Sequence, residues 1–145
     1  MKAPRFLLLG LLLSITVPAL AADGFVVVVN SSVPGASVKR ADLAAVFLKK
    51  ATRWGDGSPA SPVDQSGTSP VRKAFSDGVL QMPVSAVLQY WQRLLLSPQN
   101  QIRIPIGKAS DEEVLAYVAK TGGAVGYVAP GAALPAGVKA ISVLE

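Results

Sequence analysis

The clearest chemical pattern in the sequence lies near its middle, in the segment Asp64-Gln65-Ser66-Gly67-Thr68-Ser69-Pro70. Proline is favoured in the first turn of a helix and serine just before it, so the pattern predicts a helix that begins at Pro70 with Ser69 as its cap. The first amide groups of a helix have no partner within it and lie at the positive end of its dipole, which favours anions. Hydroxyl groups of Ser66, Thr68 and Ser69 would add donors, and Gly67 would let the backbone approach a ligand closely.

Two charged residues extend this pattern. Arg72, one turn into the predicted helix, could make a forked, charge-assisted contact with a tetrahedral oxyanion. Asp64 could accept a proton from a protonated anion such as hydrogen phosphate. The candidate ligand-binding residues are therefore Asp64, Ser66, Gly67, Thr68, Ser69 and Arg72. The alternative that the local pattern leaves open is ordinary helix capping by Ser69, with the other hydroxyl groups solvated.

Two residue types are missing, and their absence excludes several classes of chemistry. The sequence has no cysteine and no histidine. Disulfides, thiol nucleophiles, thiolate metal sites, a Ser-His-Asp triad and the commonest zinc ligand are thereby excluded. The one tight acidic cluster, Asp111-Glu112-Glu113, is explained by a helix cap formed with Ser110. We therefore predict a protein that is not an enzyme and that uses no cofactor and no metal.

The first 21 residues have the features of a cleavable secretory signal. Lys2 and Arg5 precede an apolar stretch, Pro18 breaks it, and Ala19-Leu20-Ala21 provides the small residues that a signal peptidase requires. The rival interpretation, a permanent anchor, needs roughly 20 apolar residues and the stretch is shorter. We predict a signal peptide over 1–21, one domain over 22–145, a periplasmic location and no stable membrane insertion after cleavage.

Without residues 1–21 the chain keeps twelve basic and nine acidic residues, a net charge of +3 rather than the +5 of the precursor. Nucleic-acid binding usually requires a dense basic face, so no nucleic-acid partner is predicted. A mildly basic chain of this size suits a single exported domain with its own core.

The periodicity of apolar residues predicts alternating strands and helices. A continuous apolar run such as Phe25 to Val29 is typical of a strand covered on both faces, as in a parallel or mixed sheet. The predicted fold is therefore α/β, a mixed sheet flanked by about four helices. Further strands are predicted at 60–64, 124–128 and 138–143, with a short extended piece over 102–106. Helices are predicted at 38–48 (capped by Ser37), 70–80, 84–96 and from 111 (capped by Ser110) to about 120.

Each predicted helix has an apolar stripe that should face the core. The stripes are Leu43, Val46 and Phe47; Val71, Phe75 and Val79; Val84, Val87, Leu88, Trp91, Leu94 and Leu95; and Val114, Leu115 and Val118. Between the first helix and the second strand runs a turn-rich excursion, residues 49–59. Its basic side chains should be solvated, and Trp54 should fold back onto the domain.

Several segments together, in their order and spacing, resemble a known family. They are Asp42–Lys50, Trp54–Gly57, Pro62–Asp64, Ser69–Phe75, Tyr90–Trp91 and Gly122–Val128. With these segments the chain resembles the short, exported phosphate ABC transporter substrate-binding-protein-like proteins of the periplasmic binding protein type II superfamily. The resemblance implies one lobe of that α/β fold and a role in solute binding. It also implies that Ser66-Gly67-Thr68 corresponds to the loop that wraps phosphate in the full-length, two-lobed receptors.

Two functions follow as hypotheses. The first is an exported module that binds phosphate or a similar small oxyanion, associated with transport or sensing and partnered by an ABC permease or another envelope protein. The second is an envelope protein-interaction module that keeps the fold without binding a small anion. In that case Lys49, Lys50, Arg53 and Trp54 would form the contact patch.

Overall fold

The structure is a computed structural model that describes residues 24–98 and 101–145. The predicted signal peptide over 1–21 lies outside the described residues. The strands are β1 (Val26–Asn30), β2 (Ser37–Lys39), β3 (Ser61–Gln65), β4 (Ile106–Lys108), β5 (Ala124–Val128) and β6 (Val138–Leu144). The helices are α1 (Arg40–Phe47), α2 (Pro70–Phe75), α3 (Val84–Leu95) and α4 (Asp111–Lys120), and α2 continues directly into a π-helical turn, Ser76–Leu80.

The six strands form one mixed sheet in the order β2-β6-β1-β5-β3-β4. β1 runs antiparallel to both of its neighbours, β5 and β6. β3 is parallel to β4 and to β5, and β2 is parallel to β6. The predicted α/β class, a mixed sheet with about four helices, is confirmed.

Apolar cores lie on both faces of the sheet, which explains the continuous valine run of β1. Val27 and Val29 belong to the core on the α1 side, and Val28 belongs to the core under α4. Burying a side chain of this size stabilises the fold by roughly 1.5–3 kcal/mol. The α1-side core is built on aromatic rings, with Phe75 and Tyr127 stacked at a centroid distance of 4.0 Å.

Gly126 lets α4 pack directly against the sheet. A Cβ atom at this position would lie 2.7 Å from Val114 Cγ1 and 2.8 Å from Val63 Cγ1, closer than packed carbon atoms approach. The buried stripe of α4 is confirmed, since Val114, Leu115 and Val118 are all buried.

The start of α1 differs from the prediction. Ser37 does not cap the helix, because Ser37–Lys39 pairs with Ser142–Leu144 of β6 as strand β2. The helix begins at Arg40, and Lys39 stands at its cap position without a side-chain cap bond. Strand pairing satisfies the backbone of Ser37 and so prevails over its local capping tendency. The buried stripe of α1 is as predicted.

The capping box of α4 is also modified. Ser110 Oγ accepts the Glu113 amide at 3.3 Å, as predicted. Glu113 Oε2, however, accepts the amide of Ala109 at 2.9 Å and not that of Ser110.

The stripe of α3 is only partly buried, contrary to the prediction. Val87 and Trp91 are buried, but Leu88 is 47% exposed and Leu95 is 58% exposed. α3 is held to the domain along one side, where Tyr90 Oη donates to the carbonyl of Leu48 at 2.8 Å. No element within residues 24–98 and 101–145 covers the rest of its apolar surface.

The excursion over 49–59 folds back as predicted. Trp54 is half-buried and its indole N–H donates to the carbonyl of Gly123 at 2.9 Å. That carbonyl also accepts the Ser61 amide at 3.1 Å, so Trp54 fastens the excursion to the turn before β5. None of the helices in the described ranges is long and apolar enough to cross a membrane.

Candidate oxyanion site

The candidate site lies where β3 ends. Parallel strands β4 and β5 flank β3, and ligands of open α/β sheets bind outside the carboxyl ends of such strands. The loop that follows β3 is held to the end of β4, because the Ser66 amide donates to the carbonyl of Lys108 at 3.0 Å.

The loop then turns tightly into α2. The Ser69 amide donates to the carbonyl of Ser66 at 3.0 Å, and Ser69 Oγ accepts the Arg72 amide at 3.3 Å, which confirms Ser69 as the helix cap. The amides of Gly67, Thr68 and Val71 bond to no acceptor among residues 24–98 and 101–145. Three unpartnered amide donors therefore lie within five residues.

Two hydroxyl groups accompany these amides at the surface. Ser66 and Thr68 are exposed, and their hydroxyl oxygens lie 3.2 Å apart and share one hydrogen bond. Gly67, between them, is exposed as well, and a Cβ atom there would meet only Val84 at the ordinary distance of 4.0 Å. Ser66, Gly67 and Thr68 therefore form the solvent-facing part of the predicted site.

Asp64 and Arg72 lie beneath the loop, paired with each other. Arg72 Nη1 is 3.2 Å from Asp64 Oδ2 and donates to the carbonyl of Gln65 at 2.6 Å. Both side chains are largely buried, with 12% of Asp64 and 10% of Arg72 exposed. Asp64 Oδ1 also accepts the amide of Gln65 and the hydroxyl of Tyr127. Internal donors thus occupy the carboxylate that was predicted to accept a ligand proton.

Part of the Arg72 guanidinium remains available. No buried side-chain nitrogen or oxygen in the described ranges lacks a hydrogen-bond partner. Arg72 Nε and Nη2 bond to no group there, so these two atoms must keep contact with solvent. Nη1 of the guanidinium supports the loop through the Gln65 carbonyl, and the other edge keeps some contact with solvent.

Gln65 fastens the loop to the rest of the sheet. Its Nε2 donates to Asp111 Oδ1 at 2.7 Å and to the carbonyl of Tyr127 at 2.8 Å. Its Oε1 accepts the hydroxyl of Ser69 at 2.9 Å. Asp111 in turn accepts the amide of Ala129 at 3.0 Å. One buried amide side chain therefore joins β3, the start of α2, α4 and β5.

Tyr127 completes this support. Burial and the adjacent carboxylate of Asp64 raise the pKa of its phenol far above the ordinary value, so the hydroxyl stays neutral and donates to Asp64. Sequence reasoning missed the supporting roles of Gln65, Asp111 and Tyr127. The signals available were a glutamine in the buried end of a strand and a tyrosine within an otherwise aliphatic strand.

The six predicted residues thus lie on one continuous segment but at two depths. Ser66, Gly67 and Thr68 are exposed and Ser69 is half-buried, whereas Asp64 and Arg72 are buried. Over the described part of the chain, no three histidine, cysteine, aspartate or glutamate side chains come together as a metal site would require.

No protein-family model matches the sequence, and no curated protein matches it either. The fold, in contrast, matches solved structures. An ABC-type phosphate transport receptor from Vibrio cholerae superimposes with a TM-score of 0.59 at 18% identity, over 83% of this chain and 46% of the receptor. PstS from Borrelia burgdorferi gives a TM-score of 0.62 at 15% identity, over 83% of this chain and 47% of PstS.

A putative phosphate ABC transporter substrate-binding protein from Clostridium perfringens, solved with bound phosphate, gives a TM-score of 0.60 at 16% identity. The match covers 83% of this chain and 44% of that protein. The chain therefore has the fold of part of a phosphate ABC transporter substrate-binding protein, and it spans less than half the length of each. The single-lobe resemblance inferred from the sequence is confirmed at the level of fold.

Proposed function

We propose that this chain is an exported module that binds phosphate or a similar tetrahedral oxyanion at the loop between β3 and α2, in association with transport or sensing. The observation that supports it is the cluster of donors at this loop. The amides of Gly67, Thr68 and Val71 are unpartnered within the described ranges, and the hydroxyls of Ser66 and Thr68 are exposed beside them.

The chemistry of these donors favours an oxyanion over a cation or an apolar ligand. Amide and hydroxyl groups donate to anionic oxygens, and an ionised acceptor makes each hydrogen bond about twice as strong as a neutral one. Beneath the loop, the carboxylate of Asp64 is already bonded to Arg72 and to the hydroxyl of Tyr127. The exposed donors are therefore not opposed by a free carboxylate at the surface of the loop.

The fold supports the same assignment. The proteins named above are phosphate receptors or phosphate ABC transporter substrate-binding proteins, and this chain corresponds to less than half of each. A binding role for one such lobe, with an ABC permease or another envelope protein as its partner in the periplasm, is the simplest function for the chain. Catalysis is not part of the proposal, because the Ser66 and Thr68 hydroxyls bond to each other and to no base in the described residues.

Amide-resolved NMR titration with phosphate, and separately with sulfate, tests the proposal. The amide signals of Gly67, Thr68 and Val71 should shift with a common dissociation constant in the millimolar range, since one wall leaves the anion exposed to water. Ser66→Ala combined with Thr68→Ala should weaken binding by well over about tenfold, because two hydrogen bonds to a charged group are lost.

Thr52→Ala is the matched control, since Thr52 is an exposed hydroxyl residue far along the chain from the loop, and it should leave the affinity unchanged. If neither anion shifts these three amides at tens of millimolar, oxyanion binding by the single chain is refuted.

A second candidate function, the protein-interaction module, is favoured by a different observation. A cleft of about 580 Å³ opens between α1, the edge strand β2 and the excursion. Arg53 and Trp54 from the predicted contact patch line it, with an apolar floor that includes Val38, Val46 and Ile141. Lys50 is exposed beside the cleft, and partial burial lowers the pKa of Lys49.

This alternative makes the opposite prediction for anions. Phosphate would leave the melting temperature unchanged, and an envelope protein would co-purify with the wild type. Lys50→Glu combined with Arg53→Glu would then abolish the co-purification, whereas Ser66→Ala combined with Thr68→Ala would not.

A further inference from the structure

One flank of the molecule exposes an unusual number of large apolar side chains. Of the eight large hydrophobic residues that are exposed in the described ranges, six lie on α3 and on the segment that leads from it into β4. We call this set the apolar flank: Leu88, Leu95, Leu96, Ile102, Ile104 and Ile106.

The exposed residues of the flank lie in two groups, one on α3 and one on the segment that leads into β4. Leu88 and Leu95 are seven residues apart, which places them on the same face of α3, and Leu96 at the end of the helix is 85% exposed. The three isoleucines recur at every second residue, with Ile106 as the first residue of β4, and all three are exposed. The flank therefore combines one face of α3, the end of that helix and the exposed isoleucines that lead into the edge strand β4.

The segment of sequence that carries the flank has charges of one sign only. Between Gly78 and Ser110 the sequence contains no aspartate and no glutamate, and it contains three basic residues. Arg93 and Arg103 are exposed, and Lys108 is half-exposed. Exposed leucines and isoleucines beside exposed arginines, in a segment that has no acidic residue of its own, complement a partner that is apolar inside and negatively charged at its boundary.

We propose that the apolar flank docks this protein peripherally on an anionic lipid surface. The leucines and isoleucines enter the boundary between headgroups and acyl chains, and Arg93 and Arg103 contact lipid phosphates. A fluid lipid boundary requires no complementary groove, which suits side chains that protrude from a helix end and from an edge strand. A second copy of the chain is disfavoured, because an isologous contact would bring the same positive charges together. The proposal is independent of oxyanion binding at the β3–α2 loop.

Vesicle flotation tests the proposal, with the chain recovered after export and its mass determined. It should float with vesicles of phosphatidylglycerol and phosphatidylcholine at low salt, far less with phosphatidylcholine alone, and progressively less as salt screens the charges. Arg93→Gln combined with Arg103→Gln should lower the partition coefficient about tenfold or more. Leu95→Ser combined with Leu96→Ser should lower it by at least a similar factor.

Matched controls come from the same molecule. Leu134 and Leu144 are 39% and 50% exposed but lie outside the flank, so Leu134→Ser combined with Leu144→Ser should leave binding unchanged. Lys50→Gln combined with Lys120→Gln removes the same charge from other exposed positions and should have little effect.

Absence of flotation with anionic vesicles at low salt overturns the proposal. Equal losses in the flank variants and their controls overturn it as well, because binding would then follow bulk charge or bulk hydrophobicity. Light scattering after size exclusion provides the third outcome. A dimer in lipid-free buffer that Leu95→Ser with Leu96→Ser dissociates would assign the flank to a second copy and refute the lipid proposal.

Discussion

Removing the carboxylate beneath the loop should destabilise the whole domain. Asp64→Ala deletes the partner of Arg72 Nη1 at 3.2 Å and the acceptor of the Tyr127 hydroxyl and the Gln65 amide. With only 10% of its side chain exposed, Arg72 would be left as a buried, uncompensated charge. Breaking a buried pair from one side costs about 3–5 kcal/mol, and the solvent contact that Arg72 retains places the expected loss at the lower end of this range, about 3 kcal/mol.

Replacing both partners should be less damaging than replacing one. In Asp64→Leu combined with Arg72→Met, no charge is buried, and apolar side chains of similar volume fill the space. Such a double replacement is often neutral relative to the ion pair. We therefore expect the double variant to be more stable than Asp64→Ala, even though it carries more changes. Urea unfolding followed by tryptophan fluorescence measures both free energies of unfolding.

The exposed pair of Lys73 and Asp77 provides the control. It lies one turn apart on the helical segment that follows the loop, with 73% and 46% of the side chains exposed. Asp77→Ala should cost less than about 0.5 kcal/mol. If Asp64→Ala costs as little as Asp77→Ala, Arg72 is solvated in the folded protein. The assignment of one guanidinium edge to support of the loop would then be refuted.

Two other predictions concern the frame around the site. Gly123→Ala should cost roughly 3 kcal/mol or more in urea unfolding, because Gly123 has a φ of +76° and a Cβ atom would lie 2.0 Å from the carbonyl oxygen of Pro59. Gly55→Ala meets nothing within 4 Å and should change stability by less than about 0.5 kcal/mol, and equal effects of the two would contradict the packing. Because the pKa of Tyr127 is raised, the folded state keeps a proton that the unfolded state releases near pH 10. The free energy of unfolding should therefore fall by up to about 1.4 kcal/mol per pH unit above that point. Tyr127→Phe should flatten this alkaline loss, and an unchanged slope would show that the phenol titrates normally.

Local sequence patterns predicted most of the strands and helices, because most elements lie in the environment that their own pattern indicates. The valine run of β1 indicated a strand covered on two faces, and both cores cover it. Ser69 before Pro70 indicated a helix start, and the hydroxyl of Ser69 caps that helix. The prediction that Ser37 caps the first helix was wrong, because its backbone pairs with β6, which is far away in the sequence.

The prediction that Leu88 and Leu95 are buried was wrong for a different reason. Helical periodicity shows which side chains share a face of α3, but it does not show how wide a strip of that face the domain covers. Val87 and Trp91 are buried and Leu88 is not, although all three belong to one apolar stripe. The width of the covered strip depends on packing against the π-helical turn, which no local pattern specifies.

The donor-rich loop could be located from the sequence, but the depths at which its residues lie could not. Small polar residues before a proline mark a donor-rich loop wherever they occur. Whether an arginine one turn later faces the ligand or the interior depends on what lies below it. Here that is Asp64, held by Tyr127 from β5, a residue 63 positions away along the chain. The carboxylate and the guanidinium were therefore expected at the surface and lie beneath it.

The supported loop affects how strongly an anion could bind at a site that is open to solvent on one side. An exposed loop usually loses affinity because ligand binding must first order it. In this chain Gln65 joins the loop to β5 and α4, and Arg72 supports it from below, whether or not a ligand is present. The donors are thereby ordered when the protein folds, before any ligand binds. What a single lobe lacks is exclusion of water from the other side, which leaves each hydrogen bond in competition with solvent. A pre-ordered but open loop should therefore bind oxyanions weakly and rapidly, and a partner that covers it should raise affinity without any change in the loop itself.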